Sequence, residues 1–291
     1  MFHKKRDKGE VMKKRMIMTV LAGSSLLVAQ NGFASDISLI PRASVGISHY
    51  SATWDIAAQW SDWGGDGNFN VLDLEDDLLT GGFGLTLAAG KFYFDASLEQ
   101  TIEGSDESAE ENSREMVTRD FDVFAYALTM GYNITGGLSA FGGWNGHETS
   151  VSSQYNAGDF DSEFSSAGWF FGLSYGWAVF ENSTFSIKAA YALLEGDIEG
   201  EELFNDNTKV LVSSDAGDAA GATIGMSWKS YLTDSLSYTV SADWYNYTYE
   251  DFTNEFHLVE GENTRPLPTE TSTSDIDEES YTFRFALSYL F

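Results

Sequence analysis

Residues 281–291 read Tyr-Thr-Phe-Arg-Phe-Ala-Leu-Ser-Tyr-Leu-Phe. Large apolar side chains occupy every second position: Tyr281, Phe283, Phe285, Leu287, Tyr289 and Phe291. Successive side chains of a β-strand point to opposite faces, so this period of two predicts a strand with one wholly apolar face. The chain carries 45 Asp and Glu against 16 Lys and Arg, a net charge of −29. In so acidic a sequence, contact with lipid explains the apolar face better than a soluble core does.

The beginning of the sequence differs in composition from the rest. Seven of the 16 Lys and Arg residues lie between positions 4 and 15, and an apolar stretch follows over 16–29, with small residues at Gly32 and Ala34. A basic region, an apolar region and a small-residue cleavage site together indicate a secretory signal peptide. We therefore predict a cleaved signal peptide over residues 1–34 and one domain over 35–291, with translation starting at either Met1 or Met12.

The terminal strand and the export signal together resemble those of bacterial outer-membrane β-barrel proteins, whose last strand ends in Phe after alternating aromatics. The resemblance implies that the six apolar residues of 281–291 act as the assembly signal. It further implies a monomer in the outer membrane of a Gram-negative bacterium. The implied partners are outer-membrane lipid, lipopolysaccharide, periplasmic chaperones and the barrel-assembly machinery. Nucleic acid is excluded as a partner because the strongly negative chain repels phosphate.

Further alternating segments predict the rest of the barrel. The candidate strands are 39–54, 79–90, 91–102, 119–132, 137–148, 165–179, 184–195, 219–229, 236–249 and 280–291. Short connections alternate with long polar ones at 56–78, 103–118, 149–164, 196–218 and 250–279. Short periplasmic turns and long external loops are typical of this topology. We predict an all-β fold, a single closed antiparallel transmembrane barrel of about ten strands with long acidic loops, eight or twelve strands being the alternatives.

Six charged residues fall on the faces opposite the apolar ones: Arg42, Asp95, Glu99, Lys188, Asp243 and Arg284. Charges facing lipid are costly, so we expect these side chains in the lumen. Asp243 and Arg284 lie at matching heights on adjacent strands and are predicted to form a cross-strand ion pair. A polar channel or selectivity ring is the alternative use of the six charges. Side chains nearly fill a barrel of this size, which favours a plugged or very narrow lumen.

Three classes of function remain open at this stage. The first is a non-enzymatic narrow channel or structural barrel with acidic surface loops, and the second is a loop-based adhesion or surface-interaction protein. The third is an outer-membrane hydrolase. An omptin-like protease could use His147 with Asp159 and Asp161, and a lipid A deacylase could use the His-x-Ser spacing of His49 and Ser51. We predict no catalytic residue, because neither constellation matches a complete motif.

One acidic segment partly matches a calcium loop. Counted from Asp62, the segment 62–73 has acids at positions 1, 5 and 12, Gly at 6 and an apolar residue at 8. The EF-hand loop uses this spacing, although position 3 is Gly64 and position 12 is Asp instead of Glu. The candidate ligands are Asp62, Asp66, Asn68, Asn70 and Asp73. We predict at most weak Ca²⁺ binding, with a Kd of ~0.1 to 1 mM, and no other cofactor.

Overall fold

Strands make up almost all of the structure. A computed structural model describes residues 37–60, 72–103, 110–111, 114–155, 158–205, 208–215, 217–250, 252–260, 263–266 and 269–291. The strands are β1 (Ile37–Trp60), β2 (Leu72–Ala89), β3 (Phe92–Glu103), β4 (Glu110–Glu111), β5 (Arg114–Thr135), β6 (Leu138–Tyr155), β7 (Gly158–Phe180), β8 (Ser183–Asn205), β9 (Thr208–Asp215), β10 (Gly217–Tyr231), β11 (Leu236–Glu250), β12 (Thr253–Glu260), β13 (Asn263–Pro266) and β14 (Thr269–Tyr289). No helix in this part of the chain is long and apolar enough to cross a membrane.

Within the described residues, ten of these strands close into one antiparallel barrel. The order is β1, β2, β3, β5, β6, β7, β8, β10, β11 and β14, and β14 pairs with β1 to complete the ring. Closure pairs the backbone groups of every barrel strand on both sides, which lipid requires because it offers them no hydrogen bonds. The predicted all-β, ten-stranded closed barrel is confirmed.

Short turns gather at one end of the barrel. They follow β2, β5, β7 and β10, close to the positions predicted from the sequence. Gly90 has φ of 60°, and Gly136 and Gly137 have φ of 55° and 95°. These left-handed conformations allow the tight turns and favour glycine there. The backbone nitrogen of Phe291 donates to the carbonyl of Leu39 at 3.1 Å, so the end of the chain is tied to β1 at this same end.

At the opposite end, the strands run further than predicted. β7 begins at Gly158 instead of 165 and β14 at Thr269 instead of 280, while β1 extends to Trp60. The segments predicted as long loops are therefore largely strand. Part of them extends the barrel sheet beyond the ring, where β8 pairs with β9, β9 with β12 and β12 with β13. β4 pairs with the start of β5.

The outer face of the barrel changes character along its height. Next to the short turns, this face exposes large apolar side chains, among them Leu39, Val45, Ile47, Phe83, Leu87, Phe94, Leu128, Met130, Phe171, Leu173, Ile187, Ile224, Phe283 and Phe285. Farther up, the outward positions are acidic and exposed, among them Glu75, Asp77, Asp120, Asp122, Glu195, Asp197, Glu199, Asp275 and Asp277. The apolar belt matches the lipid-facing band of a transmembrane barrel, and the acidic part above it faces water.

The interior reverses this arrangement. Inside the acidic part, the lumen is filled by a buried apolar cluster, named here the aromatic core: Tyr50, Ala52, Leu74, Leu78, Phe121, Val151, Phe164, Ala192, Leu194, Ile198, Ala219, Tyr247, Tyr249, Phe252 and Ile276. The rings of Tyr50 and Phe121 lie 5.2 Å apart, and those of Phe164 and Tyr249 4.9 Å apart in edge contact. The upper barrel is thus built like a soluble β-protein, apolar inside and charged outside. This reversal explains why the sequence pattern suggested loops there.

Candidate functional site

The lumen beside the lipid-facing belt holds charged side chains in two groups. In the first group, Arg42 of β1 donates to both carboxylate oxygens of Asp95 on β3, at 2.7 and 2.8 Å. Thr86 of β2 donates its hydroxyl to the same carboxylate. The side chains of Arg42 and Asp95 are each only 3% exposed. A bidentate pair with a further donor satisfies the buried carboxylate, which would otherwise be very costly in the barrel interior.

The second group is a chain of four charges. Arg284 of β14 donates from Nε to Glu99 at 2.8 Å and from Nη1 to Asp243 at 3.0 Å. Asp243 in turn contacts Lys188 Nζ at 2.7 Å. A Cβ at Gly225 would lie 2.2 Å from Asp243 Oδ1 and 2.4 Å from Lys188 Cε, so the pair occupies the space that the missing side chain leaves. The chain links β3, β14, β11 and β8 across the lumen.

The structure therefore brings the six predicted lumen charges together inside the barrel. Asp243 and Arg284 are in contact, but each also has a second partner that the spacing alone did not indicate. A seventh charge, Lys229, shares the inward parity of Gly225 on β10, and its ammonium lies 5.0 Å from the ring centre of Tyr231. The alternation of β10 indicates this placement, because Lys229 lies an even number of residues after Thr223 and therefore shares its inward face.

A different polar array lies in the upper part of the lumen, against the aromatic core. Ser166 Oγ lies 3.0 Å from His147 Nδ1 in hydrogen-bonding geometry. On the other side of the imidazole, Nε2 lies 2.9 Å from Glu278 Oε1, although the N–H direction misses the oxygen. Tyr249 places its hydroxyl 2.9 Å from Ser166 Oγ and 3.3 Å from Glu278 Oε2. Glu278 is fully buried, and the His147 side chain is 10% exposed.

Sequence reasoning singled out His147 but not its neighbours. His147 and Ser166 are register partners on β6 and β7, whereas Glu278 comes from β14 across the lumen. Asp161, which the protease hypothesis joined to His147, is exposed on the outer face. That pairing is therefore wrong. Only inward parity on neighbouring strands could have indicated Ser166, and no signal in the sequence brings Glu278 to the same place.

The other predicted positions are distributed as follows. The six apolar residues of 281–291 all lie on the outer face, between 43% and 73% exposed. His49 also faces outward, with Nδ1 2.9 Å from Asp77 Oδ1, above the apolar belt. Ser51 shares that outward parity, so a His-Ser couple there would face away from the lumen. Asp62, Asp66, Asn68 and Asn70 lie outside the described residues, and the backbone of Asp73 pairs with Thr53 at the start of β2.

Comparison with solved structures places the fold among the outer-membrane β-barrels. The outer membrane protease OmpT from Escherichia coli superposes with a TM-score of 0.65 at 12% identity, covering 90% of this chain and 99% of that one. The translocator domain of the autotransporter NalP from Neisseria meningitidis gives a TM-score of 0.41 at 13% identity, covering 86% of this chain and 88% of that one. OprG from Pseudomonas aeruginosa gives 0.38 at 9% identity, covering 87% and 95%.

No protein-family model matches the sequence, and no curated protein matches it either. At these identities the likeness to OmpT establishes the fold and nothing about the reaction. The chain thus has the architecture of the outer-membrane barrels, with a lumen filled by paired charges below and an aromatic core above.

Proposed function

We propose that this protein is a non-enzymatic outer-membrane barrel with a closed lumen, a structural or surface-exposed barrel in which no open pore is present. The observation that carries this proposal is the aromatic core. Its largest members, Tyr50, Phe164, Tyr249 and Phe252, are at most 2% exposed and come from different sides of the barrel. Apolar side chains in mutual contact leave ions no hydrated path, and a hydrophobic constriction blocks conduction.

The lower charge clusters support the same reading. A selectivity ring needs charges that a passing ion can use, yet the carboxylates of Asp95 and Asp243 are already held by Arg42, Arg284 and Lys188. Opposite charges that satisfy one another stabilise the lumen and present little net field to a solute. One space between Arg42, Lys188, Asp243 and Arg284, about 20 Å³, is enough for a water molecule or two.

Conductance across planar bilayers tests the closed lumen. Refolded wild-type protein should give no discrete conductance steps, and a Phe164→Ala/Tyr249→Ala variant should give measurable ion leakage because two rings of the core are removed. Phe171→Ala is the matched control, since that ring is 55% exposed on the lipid-facing side and should leave the barrel closed. Regular conductance steps from the wild-type protein, equal to those of the double variant, would overturn the proposal.

The location belongs to the same proposal. The apolar belt and the barrel fold support insertion in an outer membrane, and the basic and apolar start of the sequence supports export with cleavage after Ala34. Cell fractionation should recover the protein with the outer membrane, and mass spectrometry of the mature chain should give Ser35 as its first residue. Surface adhesion through the acidic loops stays a prediction, testable by whole-cell binding assays.

One observation favours a second candidate, a hydrolase. Ser166, His147 and Glu278 follow the order of a nucleophile, a base and an orienting carboxylate. In such a reaction Ser166 Oγ would attack a carbonyl carbon and pass its proton to His147 Nδ1. The imidazolium would return that proton to the leaving group as its bond to the carbonyl carbon breaks, and water would then hydrolyse the acyl-enzyme. Labelling by a fluorophosphonate probe tests this candidate: a serine hydrolase would be labelled, and Ser166→Ala would lose the label while Ser174→Ala kept it. The closed-barrel proposal expects no labelling, because Ser166 is 4% exposed beneath the aromatic core.

A further inference from the structure

A cavity of about 120 Å³ lies in the lumen between the charge clusters and the aromatic core. Aromatic side chains form much of its wall: Phe141, Phe170 and Tyr247. The rings of Phe141 and Phe170 stand 6.2 Å apart and inclined by 55°, and both residues line the same space. Asp95 and Lys188 border the cavity from the side of the charge clusters. A cavity of similar size with an apolar lining is known to hold a benzene ring.

Three buried polar atoms in this wall have no hydrogen-bond partner among the described residues. They are Tyr93 Oη, Thr129 Oγ1 and Asn145 Oδ1, and all three residues line the cavity. Tyr93 is 3% exposed and Thr129 is 6% exposed. Buried polar atoms are normally paired, so unpaired ones grouped around one space indicate an occupant that supplies the missing partners.

The aromatic wall is fixed before any occupant arrives. A Cβ on Gly131 would lie 2.0 Å from Tyr93 Cζ, and one on Gly221 would lie 2.1 Å from Tyr247 Cδ1. Each of these rings therefore packs against the glycine that is its register partner on the neighbouring strand. Phe141 stands over Gly172 in the same way, at 2.6 Å. Rings held in this manner lose little freedom on binding, as in a preformed ligand pocket.

The charges beside the cavity indicate that its occupant is neutral. Both oxygens of Asp95 accept hydrogen bonds from Arg42, and Lys188 is held by Asp243 at 2.7 Å. A charged ligand would have to displace one of these partners at a large desolvation cost. Asn145 Oδ1 needs a donor, while the hydroxyls of Tyr93 and Thr129 can either donate or accept.

We propose that this cavity is a binding site for a small neutral molecule with a planar apolar body and one hydroxyl group, the chemical class of phenol. Its ring would pack against Phe141 and Phe170, and its hydroxyl would donate to Asn145 Oδ1 or pair with Thr129. Ordered water could satisfy the polar atoms but would leave the aromatic faces without contacts. Binding at this site does not depend on whether the lumen conducts ions, because the ligand needs only the cavity below the aromatic core.

Fluorine NMR of the refolded barrel in micelles tests the site, with 4-fluorophenol as the probe and fluorobenzene as its counterpart without a hydroxyl. Wild-type protein should shift or broaden the 4-fluorophenol signal saturably, and fluorobenzene should bind at least fivefold more weakly. Thr129→Val should raise the Kd for 4-fluorophenol at least fivefold. Ala127→Phe, which fills the cavity, should abolish saturable binding.

Thr80→Val is the matched control. Thr80 is 5% exposed and its Oγ1 also lacks a partner among the described residues, but it is not one of the residues that line the cavity. It should leave the Kd within twofold of wild type. Absence of saturable binding in wild type would assign the cavity to water and overturn the proposal. Unchanged binding in Ala127→Phe, or equal losses in the two Thr→Val variants, would overturn it as well, and Thr129→Val decides the matter if Ala127→Phe does not fold.

Discussion

Arg42 and Asp95 are joined by two hydrogen bonds across an intervening strand. Arg42 belongs to β1 and Asp95 to β3, and Thr86 of the strand between them donates to the same carboxylate. A Cβ at Gly84 would lie 2.5 Å from the Arg42 guanidinium, so glycine on β2 lets the arginine side chain cross. Three consecutive strands are thereby tied together from inside the lumen.

Removing one partner of this pair should be more harmful than removing both. We expect Arg42→Met to destabilise the barrel by about 3–5 kcal/mol, because Asp95 is left buried without its cation. The Arg42→Met/Asp95→Asn double variant should recover much of that loss. Urea titration followed by the heat-modifiable shift on gels measures each stability, and purely additive effects in the double-mutant cycle would contradict the pairing.

The chain of four charges makes a directional prediction. In Arg284→Ala, Asp243 keeps Lys188 as a partner, whereas Glu99 loses the cation to which it is hydrogen-bonded. Adding Glu99→Gln to Arg284→Ala should therefore restore more stability than adding Asp243→Asn, by about 1–2 kcal/mol. Urea denaturation of the three variants checks the order. If Glu99→Gln and Asp243→Asn restored equal stability to Arg284→Ala, Glu99 and Asp243 would depend equally on Arg284, and the prediction would be contradicted.

The glycine beneath Tyr93 should tolerate no side chain. Gly131→Ala places a Cβ against the Tyr93 ring. It should lower the free energy of unfolding by about 1–3 kcal/mol, because the overpacked ring has to move. Gly200→Ala is the matched control, since its Cβ would meet neighbours only at 3.5 Å or more. Thermal unfolding of the two variants gives the comparison. A Gly131→Ala variant as stable as Gly200→Ala would contradict this packing.

The last residue should matter for assembly. Phe291 is 73% exposed, its ring stands 4.7 Å from that of Tyr289, and its backbone closes onto Leu39. We expect deletion of Phe291, or Phe291→Asp, to abolish outer-membrane assembly, measured as yield and heat-modifiable migration. Leu290→Ala, which alters the half-buried neighbour of opposite parity, should assemble normally. Wild-type yield of the Phe291 variants would refute the role of this residue.

Calcium binding by the segment 62–73 stays a prediction. Millimolar Ca²⁺ should raise the melting temperature and slow proteolysis in this segment, since an ordered loop exposes fewer cleavable bonds. Asp62→Ala/Asp66→Ala should lose both effects. Identical melting temperatures in calcium and in chelator would contradict calcium binding by this segment.

The sequence was sufficient for the lower half of the barrel. Alternation in 281–291 and in the other apolar runs predicted the strands, the inward charges and the short turns, because lipid sorts side chains by face as strictly as a core does. Above the apolar belt, the sequence pattern did not reveal the strands. From Glu195 to Glu199 the exposed positions are acidic and the buried ones between them are Gly196 and Ile198, so the alternation continues with its faces exchanged.

The candidate sites were harder to predict because they depend on register. The pairing of Tyr93 with Gly131 requires the heights of β3 and β5 to be known to one residue, and a slip by one residue would reverse every side chain. Glu278 reaches His147 across the lumen, more than a hundred residues along the chain. Phe141 faces the lumen from β6 and lines the cavity, a role that no motif in the sequence indicates.

The exchange of faces along the barrel also fixes how deeply the molecule is immersed. Ile47 and its register partner Phe283 need hydrocarbon. Asp77, one outward position higher, and Glu279, two outward positions higher, need water. If the barrel moved down or up in the membrane by one outward position, ~5 Å at the usual tilt and rise of strands, carboxylates would enter lipid or aromatic rings would enter water. The exchange of faces thus sets the height at which the tops of the strands stand above the membrane surface.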